Sequence, residues 1–154
     1  MFHAAMFSRT AEYAVRAMAA LQQYHDALIG AAALSQSTGI PANYLSKIMH
    51  ALGRAGLVDS TRGPGGGFRL SKPADRVTAY EIVRLFDDLV GQRRCFLGNK
   101  TCSATHACAA HHDWSRVWDN YESFLKKMTL ERLAPPPFVP RAHMRQRASR
   151  RTNR

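Results

Sequence analysis

Apolar residues recur three and four positions apart along most of this 154-residue chain, the spacing of helices with one buried face. The run SRTAEYAVRAMAALQQY, residues 8–24, places Tyr13, Ala17, Met18 and Leu21 on one such face. Gly30 separates it from a second, shorter helix, Ala31 to Ser37, and Thr38-Gly39 then makes a tight turn. Pro41 is expected in the first turn of the third helix, where its missing N–H breaks no intrahelical bond. That helix turns Leu45, Ile48, Met49 and Leu52 inward, and Gly56 supplies a stop.

The period then changes. In LVDSTRGPGGGFRLS, Leu57-Val58 and Phe68 to Leu70 flank a loop with four glycines and a proline, which predicts a β-hairpin with a long tip. Thr78 and Glu81 have the spacing of a capping box, and Ile82, Leu85, Phe86 and Leu89 predict an amphipathic helix ended by Gly91. Residues 95–114, CFLGNKTCSATHACAAHHDW, read as a loop. From Asp113 to Leu133 a long helix carries Trp114, Val117, Trp118, Tyr121, Leu125 and Met128 in one stripe. That stripe is too apolar for a lone surface helix on so small a domain. Two copies packing together, as a homodimer, would cover it; folding back on its own domain is the alternative. Residues 1–7 read as a flexible lead, and the proline- and arginine-rich end beyond Ala134 as disordered.

The expected fold is therefore mainly α with a small β-hairpin. A winged helix-turn-helix domain spans 6–91, a cysteine-rich loop 92–112, a dimerisation helix 113–134 and a disordered basic tail 135–154. In such a fold the third helix enters the major groove of double-stranded DNA, and the hairpin tip lies along the backbone or minor groove. Asn43, Tyr44, Ser46, Lys47 and His50 lie outside the inward stripe of that helix. Asn suits bidentate pairing with adenine, while Lys47 suits a phosphate. Asn43 could also serve only as a helix-start residue, and His50 could simply be exposed. At the tip, Arg62 can reach a narrow minor groove, and Gly63, Gly65 and Gly66 permit close backbone approach. The tip lacks the Gly-Lys-Ser/Thr ending of a nucleotide-binding loop.

Charge supports a polyanionic partner. The net charge is +11, and removing the six arginines of the tail still leaves the body at +5. The longest apolar stretch, residues 27–34, is far below the roughly 18 residues of a spanning helix, so no membrane partner is expected. Arg9, Glu12 and Arg16 interrupt any secretory apolar region, which points to the cytoplasm and to reduced thiols.

All three cysteines, Cys95, Cys102 and Cys108, fall within fourteen residues. An odd number cannot be fully paired as disulfides. Six and five residues separate them, longer gaps than the two to four usual in structural zinc sites, and His111 follows Cys108 with two residues between. By composition alone the set fits a Cys3His zinc site, an iron–sulfur cluster or free reactive thiols. No Ser/His/Asp set or paired carboxylates accompany it, so an enzyme is not expected, and an electron carrier or enzyme subunit is the remaining alternative.

The stretch GIPANYLSKIMHALGRAGLVDSTRGPGGGFRLSKPADRVTAYEIV, with its YL, AGLV and RGPGGG in order, resembles the bacterial iron–sulfur winged-helix repressors of the IscR and NsrR type. EYAVRAM resembles their first helix, and the likeness covers about residues 6 to 133. The resemblance implies a homodimeric repressor on a pseudo-palindromic operator, controlled by an iron–sulfur cluster that senses iron–sulfur status, redox state or nitric oxide. It implies Cys95, Cys102 and Cys108 as ligands. His111 would complete a 2Fe–2S cluster, or Glu12 of the partner protomer a 4Fe–4S cluster. His106 and His112 are expected to be bystanders. Arg93, Arg94 and Lys100 flank the loop and would lower the thiol pKa values, or equally form a solvated basic edge that touches DNA phosphate. Two departures stand out: the first cysteine gap is one residue longer, and Ser46 replaces a base-discriminating glutamate.

Overall fold

The structure, a computed structural model, describes residues 7–24, 27–89 and 94–133. Helix α1 (Arg9–Gln22) starts at Ser8, whose hydroxyl accepts the Ala11 N–H at 3.2 Å. It buries Ala11, Ala14, Ala17, Met18 and Leu21, and Tyr13 packs at the edge of this core. Helix α2 (Ala31–Thr38) ends at Gly39, whose left-handed φ of 68° reverses the chain into α3 (Ala42–Arg54). Leu45, Ile48, Met49 and Leu52 of α3 are buried, as their spacing predicts. Pro41 differs from expectation. It caps α3 from outside, in an extended conformation (φ −57°, ψ 136°), and its carbonyl accepts the N–H groups of Tyr44 and Leu45.

Strands β1 (Val58–Thr61) and β2 (Gly67–Leu70) form the antiparallel hairpin, with Val58 opposite Leu70 and Thr61 opposite Gly67. Ile29 exchanges two 2.9 Å hydrogen bonds with Phe68, docking the hairpin on the α1–α2 connection. That docking requires glycine at 67, because a Cβ there would meet the Ile29 carbonyl at 2.5 Å. One apolar core then joins α1, α2, α3 and the base of the hairpin through Met18, Leu21, Leu34, Leu52 and Leu57.

The capping box forms at α4 (Ala79–Val83): the Thr78 hydroxyl accepts the Glu81 N–H at 3.2 Å, and the Glu81 carboxylate accepts the Thr78 N–H at 2.9 Å. Thr78→Ala should cost about 1 kcal/mol, read as a lower urea midpoint with an unchanged slope. The helix is shorter than predicted. After Val83 the N–H groups of Leu85 and Phe86 bond three residues back, tightening the turn and leaving Leu85 37% exposed. The chain then delivers Asp87, buried, to accept the Ser8 N–H at 2.7 Å. Gly91 and Arg93, the lead 1–6 and the tail from residue 134 lie outside the described residues.

The long helix departs from expectation at both ends. Helix α5 (His111–Lys127) begins two residues early, so His111 and His112 belong to the helix and not to the loop. It stops at Met128, which turns extended (φ −85°, ψ 101°); its carbonyl accepts the Ala79 N–H at 2.7 Å. Leu130 N–H then bonds the Val77 carbonyl at 2.9 Å, and only a short 3-10 turn, Glu131–Leu133, follows. Tertiary hydrogen bonds end this helix where apolar spacing alone would continue it. The predicted stripe is also divided. Leu125 is buried against Ala11, Ala79 and Val83, with Tyr121 and Met128 beside it, whereas Val117 stays 50% exposed.

Burial, and after it the negative charge of Asp87, raise the Tyr121 phenol above its ordinary range. The folded chain thus holds this proton more tightly than the unfolded one. The stability it contributes is complete below the ordinary phenol value of about 10 and is lost as pH rises through the raised one. Tyr121→Phe should flatten the loss of stability above about pH 10 in denaturant titrations; an unchanged alkaline slope would contradict this assignment.

Candidate nucleic-acid interface and metal centre

Because α3 spends Leu45, Ile48, Met49 and Leu52 on the core, its other face carries Asn43, Tyr44, Ser46, Lys47 and His50, all exposed. The Asn43 side-chain oxygen accepts the Tyr44 N–H at 3.0 Å, and the Ser46 hydroxyl donates to the Ala42 carbonyl at 3.0 Å. Both groups thus have partners in the helix's own first turns. Lys47 and His50 have no side-chain hydrogen bond among the described residues. The Tyr44 ring, 53% exposed, meets Tyr13 edge-on at 6.3 Å between centroids.

Arg62 is exposed where the hairpin turns. Gly63 (φ 95°) and Gly65 (φ 75°) take left-handed backbone, and Gly66 donates its N–H to the Gly63 carbonyl at 2.9 Å. A Cβ on Gly66 would overlap the Thr61 and Gly63 carbonyl oxygens, so this tip closes only with hydrogen at that position. At the hairpin base, Asp59 is tied to Arg69 (3.4 Å) and accepts from the Ser71 hydroxyl (2.9 Å). From Ile40 to Lys72 that is the single acid against five Lys and Arg, so the segment presents net positive charge.

The three sulfurs converge within 4.8 Å of one another. Cys95 and Cys108 are 3.5 Å apart, and Cys102 Sγ lies 3.2 Å from His111 Nδ1. The loop is anchored at both ends to the start of α5. The Trp114 Nε1–H donates to the Arg94 carbonyl at 2.8 Å, and the His111 N–H to the Cys108 carbonyl at 3.0 Å. Phe96 covers Trp114 at 5.3 Å between centroids, and a cavity of about 50 Å³ opens between the cysteines, His111, Trp114 and Trp118. Burial would raise the Cys95 thiol. The Asn99 and Leu97 backbone N–H groups and the other two thiols outweigh it and bring Cys95 below its ordinary value. At Cys108, burial and then the hydrogen bonds with Cys95 and Cys102 push the thiol up, against a smaller opposing bond from the Ala110 backbone.

The sequence did not mark Phe96, Trp114 or Trp118 as walls of this site, since tryptophans at helical spacing look like any packing stripe. Trp118 carries a further signal: its indole Nε1 is buried without a hydrogen-bond acceptor among the described residues. His106 bonds the neighbouring Thr105 hydroxyl, and His112 stacks edge-on to His111 at 5.4 Å. Lys100 is exposed. Glu12 is not joined to the thiols of its own protomer. It pairs with Arg16 at 2.5 Å and lines a groove of about 420 Å³ with Phe7, Val15, Ala19 and Leu133.

A winged helix beside a thiol-rich site defines the class: a DNA-binding transcription regulator. The sequence model of the Rrf2 family, described as an iron-dependent transcriptional regulator, matches residues 7–136, and the chain belongs to that family. An HTH-type regulator of Aquifex aeolicus is 35% identical over 130 residues, 83% of this chain and 90% of that protein. IscR of Photorhabdus laumondii is 34% identical over 122 residues, covering 79% and 74%. Among solved structures, CymR, the global cysteine regulator of B. subtilis, superposes with a TM-score of 0.71 at 27% identity over 87% of this chain and 97% of that one. T. potens IscR gives 0.65 at 20% identity over 98% and 94%, a likeness of fold. These relatives are regulators and not enzymes. No helix among the described residues is long and apolar enough to cross a membrane.

Proposed function

We propose that this chain is a homodimeric transcription repressor whose grip on its operator is set by an iron–sulfur cluster held on Cys95, Cys102 and Cys108. The observation that carries metal binding is the convergence of three thiols within 4.8 Å, with an imidazole 3.2 Å from one of them, and the likeness to IscR favours a cluster as the occupant. Three soft thiolates and one nitrogen suit iron–sulfur ligation. The Trp118 N–H, buried without an acceptor among the described residues on a side chain that lines the same cavity, is compatible with a site that receives a sulfur acceptor. A cluster there would supply a centre sensitive to oxidants and nitric oxide. His111 is the fourth ligand within the protomer; Glu12 of the partner subunit is the alternative.

One observation favours a second reading, a single zinc ion. Tetrahedral Zn–S bonds of about 2.3 Å put neighbouring sulfurs roughly 3.8 Å apart, and the Cys95–Cys108 separation of 3.5 Å is close to that. Anaerobic purification followed by iron, acid-labile sulfide and zinc analysis separates the readings. Iron and sulfide in equal amounts support the cluster. One zinc without sulfide supports the second reading, and bare thiols overturn both.

The chain's own contacts link this site to the DNA-reading face. The Arg94 and Cys108 carbonyls hold the first turns of α5, α5 packs on α1 and α4 through Leu125 and Tyr121, and α1 shares the core with α3. Val117 and Phe124, 50% and 52% exposed and seven residues apart, leave a second apolar edge of α5 for the partner protomer. On DNA, Asn43, Tyr44, Ser46, Lys47 and His50 would face the major groove, and Arg62 with Gly63, Gly65 and Gly66 the neighbouring backbone or minor groove. Lys47→Ala and Arg62→Ala should each weaken binding and each reduce the log–log salt slope by about 1 per protomer. Unchanged slopes in anisotropy titrations across salt concentrations would remove these residues from the interface.

A further inference from the structure

The three thiols do not stand in equivalent positions. Cys95 and Cys108 face each other at 3.5 Å, while Cys102, within 4.8 Å of both, lies 3.2 Å from His111. Closing a disulfide from 3.5 Å requires the sulfurs to approach by about 1.5 Å, to a bond of roughly 2.05 Å. Both residues lie in irregular backbone, Cys95 just before a turn at Phe96-Leu97 and Cys108 just before α5. Neither is locked in a helix or strand that would resist that movement.

We infer that Cys95 and Cys108 form a peroxide-driven disulfide when the site carries no metal, leaving Cys102 as the free thiol beside His111. One of the pair, as thiolate, attacks a peroxide oxygen. The O–O bond breaks, an S–OH group forms, and the departing hydroxide takes up a proton. The second thiol attacks that sulfur; the S–S bond forms, the S–O bond breaks and water leaves. Two thiols thus supply two electrons, and one hydrogen peroxide becomes two waters. The disulfide removes two of the three sulfur ligands and joins the two loop segments that already anchor α5. The oxidised site would therefore refuse metal while keeping its loop closed, a lock that only a thiol reductant releases. This goes beyond the metal-dependent reading and holds whether the metal is a cluster or zinc.

The test uses the full chain, stripped by chelator under reducing anaerobic conditions, desalted and exposed to one equivalent of hydrogen peroxide. Free thiols are then alkylated and the protein digested with trypsin, which separates residues 95–100 from 101–116. The expected product is a crosslink between these peptides, with the alkyl label on Cys102, and reactive thiols falling from three to one. Zinc uptake by the oxidised protein should drop at least tenfold and return after dithiothreitol. Cys102→Ser should still form the crosslink. A label on Cys108 with the link through Cys102, three thiols still reactive, or sulfinic and sulfonic acids without a crosslink would each overturn the inference. Because no DNA or cluster enters this assay, its failure is separate from failure of the proposed function.

Discussion

Cys102→Ala protein, purified anaerobically, is expected to hold less than about a tenth of the metal bound by the native chain. Loss of an outer-shell partner alone commonly costs 10–100-fold in affinity, and Cys102 is a proposed ligand that also meets His111 at 3.2 Å. The variant should fold normally, because no cysteine belongs to either buried apolar cluster. Its melting curve should therefore match that of the stripped native protein, and so should its DNA affinity. His111→Ala and Glu12→Ala, measured alongside, assign the fourth ligand: the true one should lose metal, and the other should keep it. Full metal content in Cys102→Ala would remove this sulfur from the site.

Leu52→Ala is the second large effect. Leu52 is fully buried, its carbonyl accepts the Leu57 N–H at 3.0 Å, and it joins α3 to the hairpin base. Truncating such a leucine costs about 2–5 kcal/mol through lost burial and the cavity left behind. For a domain of this size the melting temperature should fall by roughly 6–20 °C. DNA affinity should fall with it near the transition, while metal binding by the surviving folded fraction is unchanged. A shift below about 2 °C would mean that α3 is not packed as described.

The two effects fall in separate parts of the molecule, and those parts differ in how plainly the sequence announces them. Helices α1 to α3 and the hairpin could be read directly, because each apolar position at helical spacing is also a core position and each turn carries glycine or proline. The shortened α4 could not, since the tightened turn that follows it leads to Asp87, whose partner, the Ser8 N–H, lies 79 positions away in sequence. The stop at Met128 depends in the same way on Val77 and Ala79. A single pair such as Ile29 and Phe68 leaves no periodic trace at all. In the site, the crowding of three cysteines and His111 is visible in the letters. The walls of Phe96, Trp114 and Trp118 are not, because an aromatic residue near a loop has no pattern that separates a site wall from ordinary packing. The division of the α5 stripe is hidden for a related reason. Spacing shows that Val117 and Leu125 are apolar, and only the packing of α4 and α1 decides which of them is covered.

The most direct measurement is operator affinity of metal-loaded and metal-stripped protein, prepared from one anaerobic batch. The probe is a DNA fragment selected from the source genome by the native protein, followed by fluorescence anisotropy at fixed salt. A coupling of about 1–3 kcal/mol between the thiol site and the reading heads predicts affinities differing by about 5–150-fold. Equal affinities for the two forms, in protein shown by analysis to differ in metal, would contradict the account.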